Sequence, residues 1–398
     1  MIPSTRHIAR HAARHVARHI TRRLASGLAL ALTVCALPGT ARAQAQPAAA
    51  AITLGTTAPF SGPFAEYGEE YRKGADACLA PVNAAGGVRG RPLRIAYLDD
   101  AYDAPRAAAN LRTLAGQGVA AFVNLVGTGP MLAMQPVLDE LKIPAIGTSS
   151  GADVLRTPEG ASPWVVHTKA SNGDEFAGFA RMLPTIGMTR IALVVQDNAF
   201  GKAGLASALK AFQQPGQTTP VVNLGQDAAG MEAAIAQVRQ AEPHAVVLIA
   251  AGTAAPAFIA QYRQAAGASA RVAVLNVVGG RVLTGQLKEQ VAGILTAVLY
   301  PSPWTGTRRA AREYQAAMAE AGQELSLLSM EGCMNLRFAV AALRAAGDDA
   351  SPAGVRRALD RGVVLDLGDF ALRLAPGSRV ASRHMSLGIY RANGRLTE

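Results

Sequence analysis

The chain has 398 residues, of which half are apolar and only 17% are charged, enough for about two globular domains with sizeable cores. Its net charge of +11 is concentrated in residues 1–43, which hold seven arginines and no Asp or Glu. The rest of the chain carries only about four excess positive charges, and it contains no zinc-finger spacing and no aromatic and basic RNA-binding motif. The composition therefore predicts no nucleic-acid partner.

The N-terminal segment has the three parts of a secretory signal peptide. A cationic stretch ends at Arg23, an apolar run covers residues 24–37, and Ala41, Arg42 and Ala43 form a small-residue cleavage site. The run is shorter than the roughly 20 residues that cross a bilayer, and no later run reaches that length. We therefore predict a signal peptide at 1–43, a linker at 44–50 and an exported, periplasmic protein that does not span the membrane. General secretion is favoured over the twin-arginine route, and the cleavage site is left open between residues 43 and 45.

Strand-like and helix-like segments follow in alternation with short connections, the pattern of parallel sheets covered by helices. The first series predicts strands at 52–57, 93–98, 120–124 and 144–146, and helices at 64–83, 105–117 and 131–141. It forms one α/β lobe.

A second series begins after residues 164–167 and forms a second lobe. It predicts strands at 191–195, 221–224, 245–249, 272–275 and 294–300, and helices at 174–183, 202–212, 231–240 and 255–266. The tail adds helices at 308–320, 330–346 and 352–361, and strands near 365–374 and 385–390.

Two cysteines, Cys78 and Cys333, lie beyond the signal peptide. Paired cysteines are common in exported proteins, but these two fall in predicted helices far apart in sequence. Buried free thiols are the favoured interpretation, and a disulfide is left open.

Small, hydroxyl-rich or glycine-rich loops follow three first-lobe strands, at 60–68, 126–130 and 147–151. Ligands of open parallel sheets bind beyond the carboxyl ends of the strands, where such loops converge. Pro130 suits the first turn of a helix, so the amides beside Thr128 and Gly129 are placed to meet an anion. The hydroxyls of Ser149 and Ser150 are expected to donate to the same group.

The second-lobe loops are predicted to supply an aromatic wall from Phe200, a hydroxyl from Thr253 and an amide from Asn276. No metal site and no cofactor are predicted.

Several longer runs carry a resemblance that covers nearly the whole chain beyond the signal peptide. They are SGP at 61–63, VNAAGGVRGR at 82–91, DDAYD at 99–103, QDNAFG at 196–201, YPSPW at 300–304 and LSMEG at 328–332. In combination they resemble the leucine/isoleucine/valine-binding family of ABC-transporter receptors.

The resemblance implies the type I periplasmic binding fold, in which two Rossmann-like lobes, each a parallel sheet flanked by helices, are joined by three hinge crossovers. The crossovers are expected near 167–170, 298–302 and 365–368. The first lobe then comprises 51–168 and 301–365, and the second 169–300 and 366–398.

The resemblance also assigns site residues by position. It implies a carboxylate-binding group and an aromatic wall in the first lobe, formed by Thr128, Ser149, Ser150, Gly151 and Tyr67. In the second lobe, Phe200 replaces a frequent tyrosine, Asn276 stands where an acidic residue usually meets a ligand's ammonium group, and Thr253 stands near a further tyrosine. Tyr102 and Gly127 occupy the positions of a first-lobe disulfide found in some relatives.

These features predict a periplasmic solute-binding receptor that is not an enzyme. We expect a monomer that captures a small carboxylate or amide-bearing compound with an apolar or aromatic body and delivers it to an inner-membrane ABC permease. One alternative is a ligand sensor with the same fold. Another is a serine hydrolase, because Gly147 to Gly151 matches the G-x-S-x-G pattern around Ser149, with Asp366 or Asp369 and then His384 in the required chain order.

Overall fold

A computed structural model of the protein describes residues 50–157, 160–213, 219–266 and 270–398. The predicted signal peptide at 1–43 lies outside the described residues, as does the predicted linker up to residue 49.

Strands and helices alternate along most of the described chain. The strands are β1 Ile52–Ala58, β2 Leu93–Asp99, β3 Ala121–Leu125, β4 Ala145–Thr148, β5 Val165–Val166, β6 Ile191–Gln196, β7 Val221–Leu224, β8 Ala245–Ile249, β9 Arg271–Val274, β10 Leu295–Val298, β11 Val363–Asp366, β12 Ala371–Leu374, β13 Ser386–Tyr390 and β14 Leu396–Thr397. The helices are α1 Ala65–Ala84, α2 Ala104–Gly116, α3 Thr128–Leu141, α4 Asn172–Thr185, α5 Ala199–Phe212, α6 Ala228–Ala241, α7 Ala254–Ala266, α8 Arg281–Leu287, α9 Arg309–Glu320, α10 Leu327–Ala346 and α11 Pro352–Arg361.

The first lobe is built on a five-stranded sheet in the order β2-β1-β3-β4-β5, with every pair parallel. Helix α1 packs against α9 and α10, and α2 packs against α3 and β1. Every residue of β1 is buried, as expected for a parallel strand with helices on both faces of its sheet.

The second lobe is built on a seven-stranded sheet in the order β14-β13-β10-β9-β8-β6-β7. Strands β6 to β10 pair in parallel, whereas β13 is antiparallel to β10 and β14 is antiparallel to β13. The predicted α/β fold with two lobes is confirmed. The sheet of the first lobe is parallel throughout, and that of the second is parallel except for its last two strands, which add an antiparallel edge.

The chain leaves the first sheet after β5, leaves the second sheet after β10 for helices that pack on the first lobe, and re-enters the second sheet at β13 after the separate β11–β12 pair. At the first passage the His167 N–H donates to the Arg379 carbonyl (2.8 Å), and the Ala381 N–H donates to the His167 carbonyl (2.8 Å). The first and third passages therefore lie side by side. The lobe boundaries given above stay a prediction.

Two local differences from the predicted elements have clear causes. The strand expected near 365–374 is a hairpin, because the Leu367 N–H donates to the Phe370 carbonyl (2.9 Å) and Gly368 adopts a left-handed φ of 85°. The segment between β9 and β10 contains a 3-10 turn at Asn276–Val278 and the short helix α8, neither of which was predicted.

The cysteines form a disulfide between Cys78 on α1 and Cys333 on α10, with their Cα atoms 5.4 Å apart. The favoured interpretation of free thiols is therefore wrong. Sequence separation, here 255 residues, was a poor guide because α1 and α10 pack against each other in the first lobe.

Candidate functional site

A small cavity lies between the two lobes at the carboxyl ends of their strands. Its volume is about 20 Å³, room for roughly one water molecule. Its lining comprises Phe64, Tyr67, Tyr102, Val126, Gly127, Thr128, Ser149 and Ser150 from the first lobe and Phe200, Ala251 and Val277 from the second. The lobes are thus closed on a site that combines aromatic rings with hydroxyl groups.

The hydroxyl side of the cavity is organised by the start of α3. Gly127, with a left-handed φ of 96°, lies between β3 and α3 and is the N-cap residue of the helix. Its N–H donates to the Ser149 hydroxyl oxygen (2.9 Å), while the Thr128 and Ser150 hydroxyls are hydrogen-bonded at 2.8 Å. Because the Ser149 oxygen accepts from a backbone N–H, its own proton is available to an acceptor in the cavity.

The aromatic side of the cavity consists mainly of first-lobe rings. Phe64 and Tyr102 are stacked, with ring centroids 3.9 Å apart and an interplanar angle of 15°, and Tyr67 lies 6.0 Å from Phe64. Phe200, at the start of α5, is 5% exposed and faces these rings from the second lobe.

Contacts across the cavity hold the lobes together. The Gly252 N–H donates to the Tyr67 hydroxyl oxygen (3.1 Å), so a first-lobe side chain bonds the second-lobe backbone. Gly252 has a left-handed φ of 64°, and a Cβ at this position would lie 2.9 Å from the Phe64 ring. Only glycine suits both that backbone and that approach.

A second interlobe contact lies beside the cavity. Arg281 on α8 faces Glu66 (Nε to Oε1, 4.0 Å) and Glu70 (Nε to Oε1, 3.8 Å) on α1, and it also pairs with Glu324 before α10. Glu70 is buried and its Oε2 makes no hydrogen bond among the described residues. The lobes are thus joined here by one arginine among three carboxylates, and we refer to this group as the Arg281 clamp.

A buried charge cluster lies under the first passage between the lobes. Lys169 pairs with Glu331 of α10 (Nζ to Oε1, 2.8 Å), and Arg156 donates to the Lys169 carbonyl (2.9 Å). Glu175 of α4 accepts from the Asn276 N–H (2.7 Å). Burial raises the pKa of the Glu175 carboxyl to about 7, against the opposing effects of the Asn276 N–H and the Lys169 charge. Burial likewise raises the pKa of Glu331.

Five of the nine predicted site residues line the cavity: Tyr67, Thr128, Ser149, Ser150 and Phe200. Their part in ligand binding stays a prediction.

Two more predicted residues border the cavity lining. Gly129 lies in the first turn of α3, where a Cβ would be 3.7 Å from that of Ala199 in the second lobe. The Gly151 carbonyl accepts from the Asn172 N–H at the start of α4 (2.7 Å).

The other two second-lobe candidates, Thr253 and Asn276, lie outside the lining. Thr253 is exposed, and the cavity is approached at that loop by Ala251 and by the Gly252 backbone. Asn276 is buried, and its Nδ2 donates to the Ala297 carbonyl (3.1 Å), so this amide supports β10. Val277 takes the lining position next to it.

Sequence reasoning missed Phe64, Tyr102 and Glu175 as candidates. Phe64 was read as the start of a helix and Tyr102 only as a residue in place of a cysteine. The sequence offered one usable signal, because the loop at 100–103 follows β2 at the same sheet edge as the three predicted ligand-binding loops.

The hydrolase alternative needs a histidine within hydrogen-bond reach of Ser149. His384 instead packs edge-on against Phe370 (5.6 Å between ring centroids). The Ser149 hydroxyl pairs with the Gly127 N–H. The structure therefore does not assemble the triad that the chain order suggested.

No helix in the described ranges is both long enough and apolar enough to cross a membrane. Within the same ranges, no group of three or more His, Cys, Asp or Glu side chains is arranged to hold a metal ion.

A family model described as periplasmic binding protein matches residues 51–390, which covers the first sheet, the second sheet as far as β13 and every residue that lines the cavity. The chain belongs to this family. The resemblance to leucine/isoleucine/valine-binding proteins is confirmed by a relative from Brucella melitensis named Leu/Ile/Val-binding protein homolog 3, 31% identical over 44% of this chain and 48% of the relative. The match thus spans about half the length of that relative.

Solved structures match over more of the chain. An extracellular ligand-binding receptor from Verminephrobacter eiseniae is 27% identical, with a TM-score of 0.81, over 87% of this chain and 100% of the receptor. A solute-binding protein of an ABC transporter from R. palustris, in complex with benzoate, has a TM-score of 0.76 over 87% of this chain and 95% of that one. At 19% identity it shares the fold alone.

Proposed function

We propose that this chain is a periplasmic receptor that captures a small solute between its lobes and delivers it to an inner-membrane ABC permease. The observation that carries the proposal is the hydroxyl-lined and aromatic cavity enclosed by both lobes at the carboxyl ends of their strands. Two lobes joined by three chain passages can open to admit a ligand and close over it. The Tyr67 to Gly252 hydrogen bond is the kind of contact that forms only on closure.

We propose a small carboxylate or amide-bearing ligand with an apolar or aromatic body. The Ser149 and Tyr67 oxygens each accept from a backbone N–H, so each hydroxyl can donate its proton to a ligand oxygen. No charged side chain is among the lining residues. The buried acid Glu175 contacts Asn276 and lies outside the lining. An α-ammonium group would therefore lose its hydration without gaining a carboxylate partner, which is unfavourable.

Export and assembly complete the proposal. A protein with the predicted signal peptide would act in the periplasm, and we propose a monomer because lobe closure needs no second chain. Transfer of the solute then requires a membrane-embedded permease as partner.

A thermal-shift screen of amino acids, aromatic acids and aliphatic acids tests this function. A ligand present at a hundredfold excess over its Kd stabilises the folded state by about 2.7 kcal/mol, which raises Tm by several degrees. We expect acids or amides to raise Tm. Isothermal titration with the most stabilising compound should then give a stoichiometry of one ligand per chain. Failure of every solute class to shift Tm would overturn the proposal.

A pair of matched substitutions locates the binding. Thr128→Val removes a hydroxyl from the cavity lining, whereas Thr253→Val makes the same change at an exposed position outside it. Loss of one such hydrogen bond weakens binding by about 3- to 10-fold. Equal effects of the two substitutions would contradict the assigned site.

A further inference from the structure

Tyr102 is held in place by an unusual stretch of backbone after β2. Ala101 and Tyr102 have left-handed φ angles of 49° and 63°. Their N–H groups donate to Asp99 Oδ1 and Asp100 Oδ1 respectively, each at 2.9 Å. Consecutive left-handed residues other than glycine are costly and persist where the surroundings enforce them, often at functional sites.

The Tyr102 ring and Gly127 form a matched pair. A Cβ at residue 127 would lie 2.5 Å from Tyr102 Cε2, so the ring covers the turn between β3 and α3 only because this residue is glycine. The other face of the ring is stacked on Phe64. Phe64 belongs to the 3-10 turn Gly62–Phe64, none of whose residues is fully buried.

The Tyr102 hydroxyl faces the backbone N–H of Thr128 at the start of α3, and this amide partly offsets the burial that raises the pKa of Tyr102 to about 12. The tyrosine therefore stays protonated, with its oxygen toward the helix. The other first-turn donors are limited, because Gly127 donates to Ser149 and Pro130 has no N–H. The dipole of α3 thus reaches the cavity mainly through hydroxyl groups.

We propose that Tyr102 is a specificity-determining residue of the cavity, and that it selects a planar monocarboxylate without an amino group. This inference rests on the proposed function and narrows its ligand class. One face of the Tyr102 ring now holds the flat Phe64 ring at 3.9 Å. In the proposed complex, a planar ligand replaces Phe64 on this face, and Phe64 moves away with its partly exposed 3-10 turn. The ligand's carboxylate then receives protons from Ser149 and Tyr67, whose oxygens accept from the Gly127 and Gly252 N–H groups.

Isothermal titration with benzoate, cyclohexanecarboxylate and leucine tests the proposal. The first two probes share a carboxylate on a six-membered ring but differ in planarity, and leucine adds an ammonium group. Aromatic stacking favours the planar ring by about 3- to 10-fold. The wild type should therefore bind benzoate more tightly than cyclohexanecarboxylate by this factor, and it should not bind leucine.

Three variants separate the roles of the ring and the hydroxyl. Tyr102→Phe should keep the preference for the planar acid and change the benzoate affinity by less than about threefold, because it retains the stacking ring. Tyr102→Ala should abolish the preference. Tyr97→Phe is the matched control, because Tyr97 lies on β2 outside the cavity lining with its hydroxyl donating to Asp76 (2.6 Å). It should leave all three affinities unchanged.

The outcomes distinguish this inference from the proposed function. If benzoate and cyclohexanecarboxylate bind equally well, or Tyr102→Ala retains the wild-type preference, the selecting role is refuted while solute binding stands. Tighter binding of leucine than of benzoate refutes the ligand class. If no member of the wider solute panel binds the wild type, the proposed function itself fails. A folded circular-dichroism spectrum of each variant is required, and Tyr102→Leu, which removes the aromatic face but keeps the bulk of the side chain, serves as the test if Tyr102→Ala does not fold.

Discussion

Replacing Glu175 by glutamine should make the protein more stable at neutral and alkaline pH and change little near pH 4. The carboxyl is 1% exposed, and its pKa rises from an ordinary value near 4.5 to about 7. Lys169 and Arg156 oppose this rise and Glu331 adds to it, but desolvation is the largest cause. Glutamine keeps an oxygen that can accept from the Asn276 N–H, so the substitution removes the charge and preserves the contact.

The size and sign of the effect follow from proton linkage. Between pH 4.5 and 7 the folded protein holds a proton on Glu175 that the unfolded chain has released, so the free energy of unfolding falls as pH rises. Each pH unit in this window is worth about 1.4 kcal/mol, which gives a total of about 3 kcal/mol. The stabilising contribution is complete below pH 4.5 and lost above pH 7. Glu175→Gln should remove this part of the slope.

Urea unfolding at intervals from pH 4 to pH 9 measures the slope directly. The variant should match the wild type at pH 4 and exceed it by about 3 kcal/mol at pH 8. Glu232→Gln, an exposed change on α6, is the matched control and should reproduce the wild-type curve. Parallel curves for Glu175→Gln and the wild type would refute the reasoning, because they would show that the Glu175 carboxyl has the same pKa in the folded and the unfolded chain.

Three further predictions concern other parts of the structure. Arg281→Gln should weaken binding of any ligand held by lobe closure, by about 5- to 10-fold at low salt and less at high salt, because it opens the Arg281 clamp. Titration at two ionic strengths checks this. An unchanged affinity would mean that the clamp does not favour closure. Reduction of the Cys78–Cys333 disulfide should lower the free energy of unfolding by about 2–5 kcal/mol, because the disulfide closes a long loop in the unfolded chain. Urea unfolding with and without a reductant measures this loss. Coincident curves would show that the disulfide does not stabilise the fold. Gly127→Ala should lower the free energy of unfolding by about 1–3 kcal/mol, because its Cβ would overlap the Tyr102 ring and its φ is left-handed. Like Tyr102→Ala, it should also reduce benzoate binding. Wild-type stability and affinity in this variant would contradict the matched pair of Tyr102 and Gly127.

The architecture was largely accessible from the sequence because local signals decide it. Buried runs such as AVVLI in β8 and small loops at strand ends predict the alternation of strands and helices in both lobes. The antiparallel β13 and β14 were not accessible in this way, because an amphipathic strand does not reveal the direction of its neighbour. The disulfide failed for a related reason, since it depends on the packing of α1 against α10.

Site residues could be predicted from the sequence where the end of a strand fixes their position. They could not be predicted where an unusual backbone conformation fixes it. Ser149 follows β4 directly and Thr128 follows β3 after two residues, so their convergence follows from the parallel sheet. Tyr102 enters the cavity through two left-handed residues, a conformation that its sequence does not favour. In the second lobe, the expectation for Thr253 treated its loop as a source of side chains, whereas Gly252 contributes its backbone.

The order in which the lobes receive their parts has a consequence for the biogenesis of the protein. The first sheet is complete at β5, but α10, which covers it and carries Cys333, is made some 160 residues later. The second sheet likewise has to wait for β13 to pair with β10. Neither lobe can finish folding until almost the whole polypeptide has emerged, and contacts so distant in sequence form slowly. We therefore expect both lobes to complete their folding only after synthesis, which is compatible with the predicted export of the chain.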